Sequence, residues 1–134
     1  MAPRVLHLFT KLRFKSGQVP CSNLVFVRSR RERDIHRELT SLKDLCWTFH
    51  EFAIERLHPQ VILCFGKTVG RYVRNQVGAN TLRKEFVETN ERKWRSQWFD
   101  SSRGPRVVVA THPSVADWRA PNTDPTQLIL EALR

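Results

Sequence analysis

The sequence contains no long hydrophobic run. No segment reaches the ~18 consecutive apolar residues that a membrane-spanning helix needs, and the first residues do not lead into the apolar core of a secretion signal. Internal repeats and low-complexity segments are also absent. The apolar fraction of 40% is nevertheless sufficient for a hydrophobic core. We therefore expect a folded cytoplasmic protein that has no membrane partner.

Cysteine is scarce, and no Cys-x-x-Cys pair occurs. The three cysteines, Cys21, Cys46 and Cys64, are an odd number, which argues against a disulfide framework. Cys64 lies within an apolar run, where a thiol behaves as a small buried hydrophobic group. The five histidines never occur at metal-ligand spacing, and no His-Glu-x-x-His motif is present. The sequence thus predicts no metal site and no cofactor.

Two familiar catalytic motifs are incomplete or missing. A Gly-x-Ser-x-Gly nucleophile elbow does not occur, so nothing recommends a serine hydrolase. Gly66-Lys67-Thr68 resembles the end of a phosphate-binding loop, but the earlier glycine of such a loop is missing, because the apolar run 61–65 occupies that part of the chain. We interpret this segment as a tight strand-to-helix turn, whose free amides can hold one phosphate of a bound strand.

Acidic residues are few relative to basic ones. Lysine and arginine total 23 against 13 acidic residues, which gives a net charge of +10, and 17 of the 23 cations are arginine. The planar guanidinium fork matches phosphate better than the compact ammonium of lysine does. This balance predicts a polyanionic partner, with nucleic acid first. The alternative is that the charge serves only solubility.

Apolar runs and helical periodicity alternate along the chain. Continuous apolar runs predict strands buried on both faces, and apolar residues at helical spacing predict amphipathic helices. The predicted strands are 23–27, 61–65 and 106–111, with a further short hairpin at 86–87 and 98–99. The predicted helices are 4–15, 39–58, 68–77 and a final one capped by Thr123 or Asp124, with Pro125 in its first turn.

This alternation predicts an α/β fold. We expect a three-layer α/β/α arrangement with a mainly parallel central sheet, in a single domain that covers residues 1–134. Ligands of such sheets bind outside the carboxyl ends of the strands. Polar residues follow all three predicted strands, beginning at Arg28, Gly66 and His112. The candidate site therefore lies at these three strand ends.

Three segments, in this order and spacing, resemble the uracil-DNA glycosylase superfamily. They read Ser-Asn-Leu-Val-Phe-Val-Arg at 22–28, His-Pro-Gln-Val-Ile-Leu-Cys-Phe-Gly-Lys at 58–67 and Val-Val-Val-Ala-Thr-His-Pro-Ser at 107–114. The resemblance extends from about Val5 to Arg134. It implies a uracil-DNA glycosylase-like fold and a DNA partner, single- or double-stranded and containing uracil. It also implies base-excision repair by hydrolysis of an N-glycosidic bond.

The resemblance assigns roles to individual residues. Asn23 would read the edge of a flipped uracil with its amide, and His112 would donate a hydrogen bond to O2 of the leaving base. Ser114 would hold a flanking phosphate, while Trp118 and Arg119 would belong to the wedge that fills the space left by the base. For Trp118, packing in the core is the equal alternative.

Further basic residues are candidates for contacts with the DNA backbone. Arg28, Arg30 and Arg31 begin an arginine-rich segment directly after the first predicted strand, and a solvated loop is the alternative interpretation. Gly66 and Lys67 form the turn after the second strand.

One part of the family's pattern is missing. Members carry an earlier strand that ends in a Gly- and Pro-rich loop with a water-positioning residue, and this chain has no such segment. We expect a sheet without that first strand, either because the chain is a fragment or because it is a relative that has lost catalysis. Three hypotheses remain: a glycosylase, a non-catalytic nucleic-acid-binding module of the same fold, and an α/β interaction domain with incidental charge.

Overall fold

The computed structural model describes residues 1–28 and 30–134, which form two compact units. The first, here called the sheet unit, comprises Met1–Val19 and Gln60–Arg134. The second, the helical unit, comprises Pro20–Pro59. Both boundaries lie inside the single domain predicted for residues 1–134.

Among the described residues the fold is α/β, with four α-helices and four strands. The helices are α1 (Ala2–Leu12), α2 (Leu39–Leu57), α3 (Lys67–Val77) and α4 (Thr126–Ala132). The strands are β1 (Val61–Phe65), β2 (Thr81–Val87), β3 (Arg95–Asp100) and β4 (Arg106–Ala110). None of these helices is both long and apolar enough to cross a bilayer.

The sheet is mixed, with strand order β1-β4-β3-β2. Within the described part of the chain, only β1 and β4 pair in parallel, from Val61 opposite Arg106 to Phe65 opposite Ala110. The pairs β3–β4 and β2–β3 are antiparallel. The prediction of a mainly parallel sheet is therefore wrong. The hairpin predicted from two short apolar pairs forms two full strands, and because a hairpin reverses the chain, it adds antiparallel neighbours beside β4.

The predicted strand at 23–27 does not form. These residues are irregular, and Phe26 and Val27 are 51% and 48% exposed. The ring of Phe26 instead packs edge-on against Phe49 of α2, with centroids 5.2 Å apart, and its amide faces the Cys46 sulfur. An apolar run becomes a strand only where another strand completes its hydrogen-bond ladder, and no strand among the described residues pairs with 23–27.

Side-chain alternation along β4 places helices on both faces of the sheet. Val108 and Ala110 face the main core with Leu8 of α1 and with Leu128 and Ile129 of α4. The opposite face receives α3. A Cβ on Gly70 would lie 2.4 Å from the methyl carbons of Val109, so the absence of a side chain allows α3 to approach β4 closely.

Helix ends follow from local residues. The chain leaves α2 at His58 and α3 at Gly78, both in the left-handed conformation, and Pro59 prevents continuation of α2. At α4 the prediction needs a small correction, because Pro125 lies at the N-cap position just outside the first turn. The Asp124 carboxylate accepts the hydrogen bond of the Thr126 amide at 3.0 Å, as an Asp at a helix start is expected to do.

Candidate functional site

The site begins where β1 and β4 end. Because these two strands are parallel neighbours, Gly66 and His112 emerge at the same edge of the sheet. The Gly66 amide donates to the Ala110 carbonyl at 2.9 Å, and a Cβ on Gly66 would lie 3.8 Å from Cβ and Cδ2 of His112. The turn at Gly66 and Lys67 thus lies directly beside His112, at the strand ends that the sequence indicated.

His112 begins a loop, residues 112–123, that we call the His112 loop. The backbone N–H of Ser114 donates to Nδ1 of His112 at 3.1 Å, and the Ser114 hydroxyl lies 2.7 Å from the same nitrogen. Because a backbone amide can only donate, Nδ1 must be the unprotonated nitrogen of the ring. The neutral imidazole therefore carries its hydrogen on Nε2, which makes Nε2–H the available donor.

The surroundings of His112 favour the uncharged ring. Burial lowers the pKa of His112, and the positive charge of the first amino group of the chain lowers this pKa further. The Phe65 ring meets the imidazole edge-on at 6.2 Å and supplies apolar contact on one side. The group at this position is thus a neutral hydrogen-bond donor at pH 7.

Trp118 anchors the His112 loop from inside. Its side chain is 0% exposed, its Nε1–H donates to the Thr111 carbonyl at 3.1 Å, and its ring packs edge-on against Phe65 at 5.3 Å. A ring held in this way is not available for stacking on a base. Its burial agrees with the core-packing alternative rather than with the wedge role suggested by the resemblance.

Arg119 is exposed, but its guanidinium already has a partner. Nε and Nη2 of Arg119 each donate to one carboxylate oxygen of Asp117, both at 2.8 Å. Arg4 of α1 adds a second cation, with its Nε 3.4 Å from Asp117 Oδ1, and donates through Nη1 to the Pro113 carbonyl. These cations hold the pKa of Asp117 far below its usual range, and the pairing raises the pKa of Arg119.

The turn between β2 and β3, residues 88–94, also contacts the His112 loop. Arg92 donates to the Val115 carbonyl at 2.8 Å, and its guanidinium carbon lies 4.2 Å from the centre of the Trp94 ring. Glu88, only 1% exposed, accepts from Asn90 at 2.8 Å and from Arg92 at 3.4 Å. A buried carboxylate thus fixes the arginine that restrains the loop next to Ser114.

Sequence reasoning missed Arg4, Arg92 and Glu88. Each acts through a contact with a residue distant in the chain or through burial, and neither feature produces a local pattern. One feature could have indicated Glu88: it directly follows β2, and the carboxyl end of β2 lies on the same side of the sheet as that of β4, where His112 follows.

The remaining predicted residues lie in the helical unit. Asn23, Arg28, Arg30 and Arg31 are exposed there. Nearby, the Ser22 hydroxyl lies 3.4 Å from His50 Nδ1. His112 belongs to the sheet unit, so the convergence of Asn23 and His112 on one cavity stays a prediction. Ser114 and Lys67 are exposed in the sheet unit; Ser114 contacts His112, and Lys67 follows Gly66, the residue that approaches His112.

Within residues 1–28 and 30–134, no group of three or more His, Cys, Asp or Glu side chains is arranged to hold a metal ion. Burial raises the pKa of the Cys64 thiol to about 12, which keeps this sulfur protonated and unreactive. The chemistry available at this edge of the sheet therefore comes from the imidazole, the hydroxyl of Ser114 and the surrounding cations.

Comparisons with protein-family models, with curated proteins and with solved structures found no match for this chain.

Proposed function

We propose that this chain is a uracil-DNA glycosylase-like domain. It binds DNA, accepts a flipped uracil or related damaged base, and hydrolyses its N-glycosidic bond. The observation that carries the proposal is the hydrogen bond from the Ser114 amide to Nδ1 of His112. This bond directs the ring proton to Nε2 without charging the ring, which suits a group that must donate to a developing oxyanion.

Cleavage of the glycosidic bond leaves its electron pair on the base, and negative charge accumulates on O2 of the pyrimidine. Nε2–H of His112 donates to O2 and stabilises this anion as it leaves. Water adds to the sugar carbon, and the proton that it loses is finally taken up by the base anion, so that the products are the sugar hydroxyl and neutral uracil. The donor is more useful in this role when its pKa is low, because a neutral ring remains in place over a wide pH range.

Recognition of the base is assigned to Asn23. Its amide pairs a donor with O4 and an acceptor with N3–H of uracil, and cytosine presents the reversed pattern at these positions. The exposure of Asn23 supports this role, because a base-reading group must reach its ligand.

Cations and donors around His112 support binding of the DNA backbone. Lys67 and the uncapped first turn of α3 lie beside His112, and Ser114 and Arg119 are exposed on its loop. Arg28, Arg30 and Arg31 add charge from the helical unit. Such contacts bind phosphate without sequence preference and weaken as salt is added.

The proposed fold is the three-layer glycosylase-like arrangement without its first strand. Two features support it: helices pack on both faces of the sheet, and β1 is a terminal strand in the order β1-β4-β3-β2. A second candidate function is a non-catalytic nucleic-acid-binding module of the same fold, which the exposed cations favour and which needs no water-positioning residue.

The test is release of uracil from a single-stranded oligonucleotide by this chain. We expect His112→Ala to lower the rate about 10²–10³-fold, the usual effect of removing one oxyanion donor. His36→Ala is the matched control, since His36 is an exposed histidine of the helical unit. Salt-sensitive binding without cleavage would support the module. Absence of binding at low salt would contradict both candidates.

A further inference from the structure

A cleft in the sheet unit opens beside the His112 loop. Pro3, Arg4, Ser114 and Arg119 line it together with Met1, and its volume is about 340 Å³. This is roughly ten times the ~30 Å³ that a water molecule occupies in the liquid, so the cleft admits a phosphate group with its hydration. The two guanidinium groups come from elements far apart in the chain and meet here.

Both arginines are bound to a single carboxylate. Arg119 contacts both oxygens of Asp117, and Nε of Arg4 lies 3.4 Å from Oδ1, the same oxygen that Nε of Arg119 contacts. The Asp117 side chain is 39% exposed and that of Arg119 is 53% exposed. The bound cations keep Asp117 ionised, but water screens an ion pair this exposed and competes for both partners. Little free energy is therefore lost when an external anion replaces the carboxylate.

The charges and the geometry specify that anion. Two cations face one carboxylate, which leaves a net positive charge at the cleft. A guanidinium fork binds the oxygens of phosphate in the same paired way in which it binds a carboxylate. Ser114 also lines the cleft, and its hydroxyl lies 2.7 Å from Nδ1 of His112. A phosphate held here therefore contacts the residue that orients the imidazole.

We propose that Asp117 substitutes for phosphate in the free protein. Its carboxylate occupies Arg4 and Arg119, and a phosphodiester group of the bound strand displaces it. This inference rests on the proposed function only in requiring that the ligand be a nucleic-acid strand. It assigns Arg4, which lies outside the motifs found in the sequence, to the binding surface. Asp117 then lowers affinity for every strand equally, because it competes with the backbone and not with the base.

The experiment compares Asp117→Asn with the unmodified chain. The probe is a fluorescein-labelled oligothymidylate, and binding is followed by fluorescence anisotropy at low salt. We expect Asp117→Asn to bind about fivefold more tightly, the effect of releasing one exposed ion pair. The amide oxygen of asparagine keeps the acceptor that the Arg119 backbone N–H uses at 3.2 Å, so the loop turn is preserved.

Asp100→Asn is the matched control. Asp100 also pairs with an arginine, Arg106, at 3.9 Å. It lies at the end of β3, at the opposite ends of the strands from His112. The substitution changes the net charge by the same amount and should raise affinity less than twofold. The gain from Asp117→Asn should disappear when Arg119→Gln or Arg4→Gln is added, because the released cations are then missing.

The competing explanation is that Asp117 only orients Arg119, and it predicts the opposite sign. Weaker binding by Asp117→Asn, or a gain no greater than that of Asp100→Asn, would overturn the proposal. Inorganic phosphate at matched ionic strength distinguishes the ligand source, and we expect it to compete only at millimolar concentration. Competition at micromolar concentration would assign the cleft to free phosphate instead.

These outcomes are separate from uracil release. The probe contains no uracil, so a chain without glycosylase activity still tests the cleft. If uracil is released while Asp117→Asn fails to bind more tightly, the proposed function stands and the role of Asp117 is wrong.

Discussion

At the scale of single residues, the direction of one hydrogen bond determines what His112 can do. The Ser114 amide donates to Nδ1, and burial disfavours the charged ring, so both effects favour the same neutral tautomer. A histidine at the end of a strand is otherwise an ordinary loop residue. Its usefulness as a donor comes from the backbone two residues later.

We predict that His112 titrates below its ordinary pKa of 6.5. In the unfolded chain the ring protonates near 6.5, whereas in the folded chain it stays neutral, so the unfolded state binds more protons as the pH falls. Protonation of His112 should therefore not change the free energy of unfolding above pH 6.5. Below pH 6.5 this free energy should fall as the pH approaches the pKa of His112 in the folded chain. NMR titration of the ring, in buffer and in urea, measures both values. A higher pKa in buffer than in urea would contradict the prediction.

At the scale of secondary-structure elements, close approach between α3 and β4 sets the position of the turn at Gly66. Gly70 of α3 faces Val109 of β4 with no room for a side chain. Gly66 lies just before α3 and His112 just after β4, so this packing also brings these two residues together. The packing of a helix on a strand therefore determines how far the first turn of α3 lies from the imidazole.

Gly70→Ala should destabilise the fold by about 1–3 kcal/mol, the usual cost of overpacking a core, because the new methyl group would lie 2.4 Å from the methyl carbons of Val109. Gly17→Ala is the control, since nothing lies within 4 Å of a Cβ there. Urea unfolding followed by circular dichroism should show a change within about 0.5 kcal/mol for the control. Equal effects of the two substitutions would show that the contact between α3 and β4 is not tight.

The turn between β2 and β3 acts at the same scale. Glu88→Gln replaces a carboxylate that is 1% exposed and binds Arg92. We expect a loss of stability of about 1–3 kcal/mol, because the buried group loses a charge-assisted hydrogen bond. Hydrogen exchange of the Val115 and Ala116 amides should also accelerate, since Arg92 restrains the Val115 carbonyl. Unchanged exchange at these amides would show that Arg92 does not restrain the loop.

At the scale of the whole molecule, the net charge of +10 is the dominant property. Exposed cations occur in both units, with Lys67 and Arg119 in the sheet unit and Arg28 and Arg30 in the helical unit. A field of this sign attracts a polyanion before any specific contact forms.

We predict that the logarithm of the affinity for an oligonucleotide falls linearly with the logarithm of the salt concentration. Each contact with a phosphate of a single strand contributes a slope of about −0.7, so three contacts give a slope of about −2. Anisotropy titrations between low and physiological salt measure this slope, and Lys67→Gln should reduce it by about 0.7. An affinity independent of salt would exclude backbone contacts as the source of binding.

Several elements followed from the sequence by itself because their patterns are local. The predicted strands 61–65 and 106–111 became β1 and β4, which pair in parallel, and the predicted helix 39–58 became α2, each within one residue of its predicted end. Because β1 and β4 are parallel neighbours, two of the three predicted strand ends, at Gly66 and His112, lie close together, whereas the predicted strand before Arg28 did not form.

Tertiary structure decided the rest. The run at 23–27 has four apolar residues against five in β1, but among the described residues it pairs with no strand. Trp118 lies in a polar segment and is nevertheless buried. The pairing of Arg4 with Asp117 joins opposite ends of the chain. Hydrogen-bond ladders, burial and ion pairs connect residues that are distant in sequence, and a local pattern contains no information about which distant residue completes them.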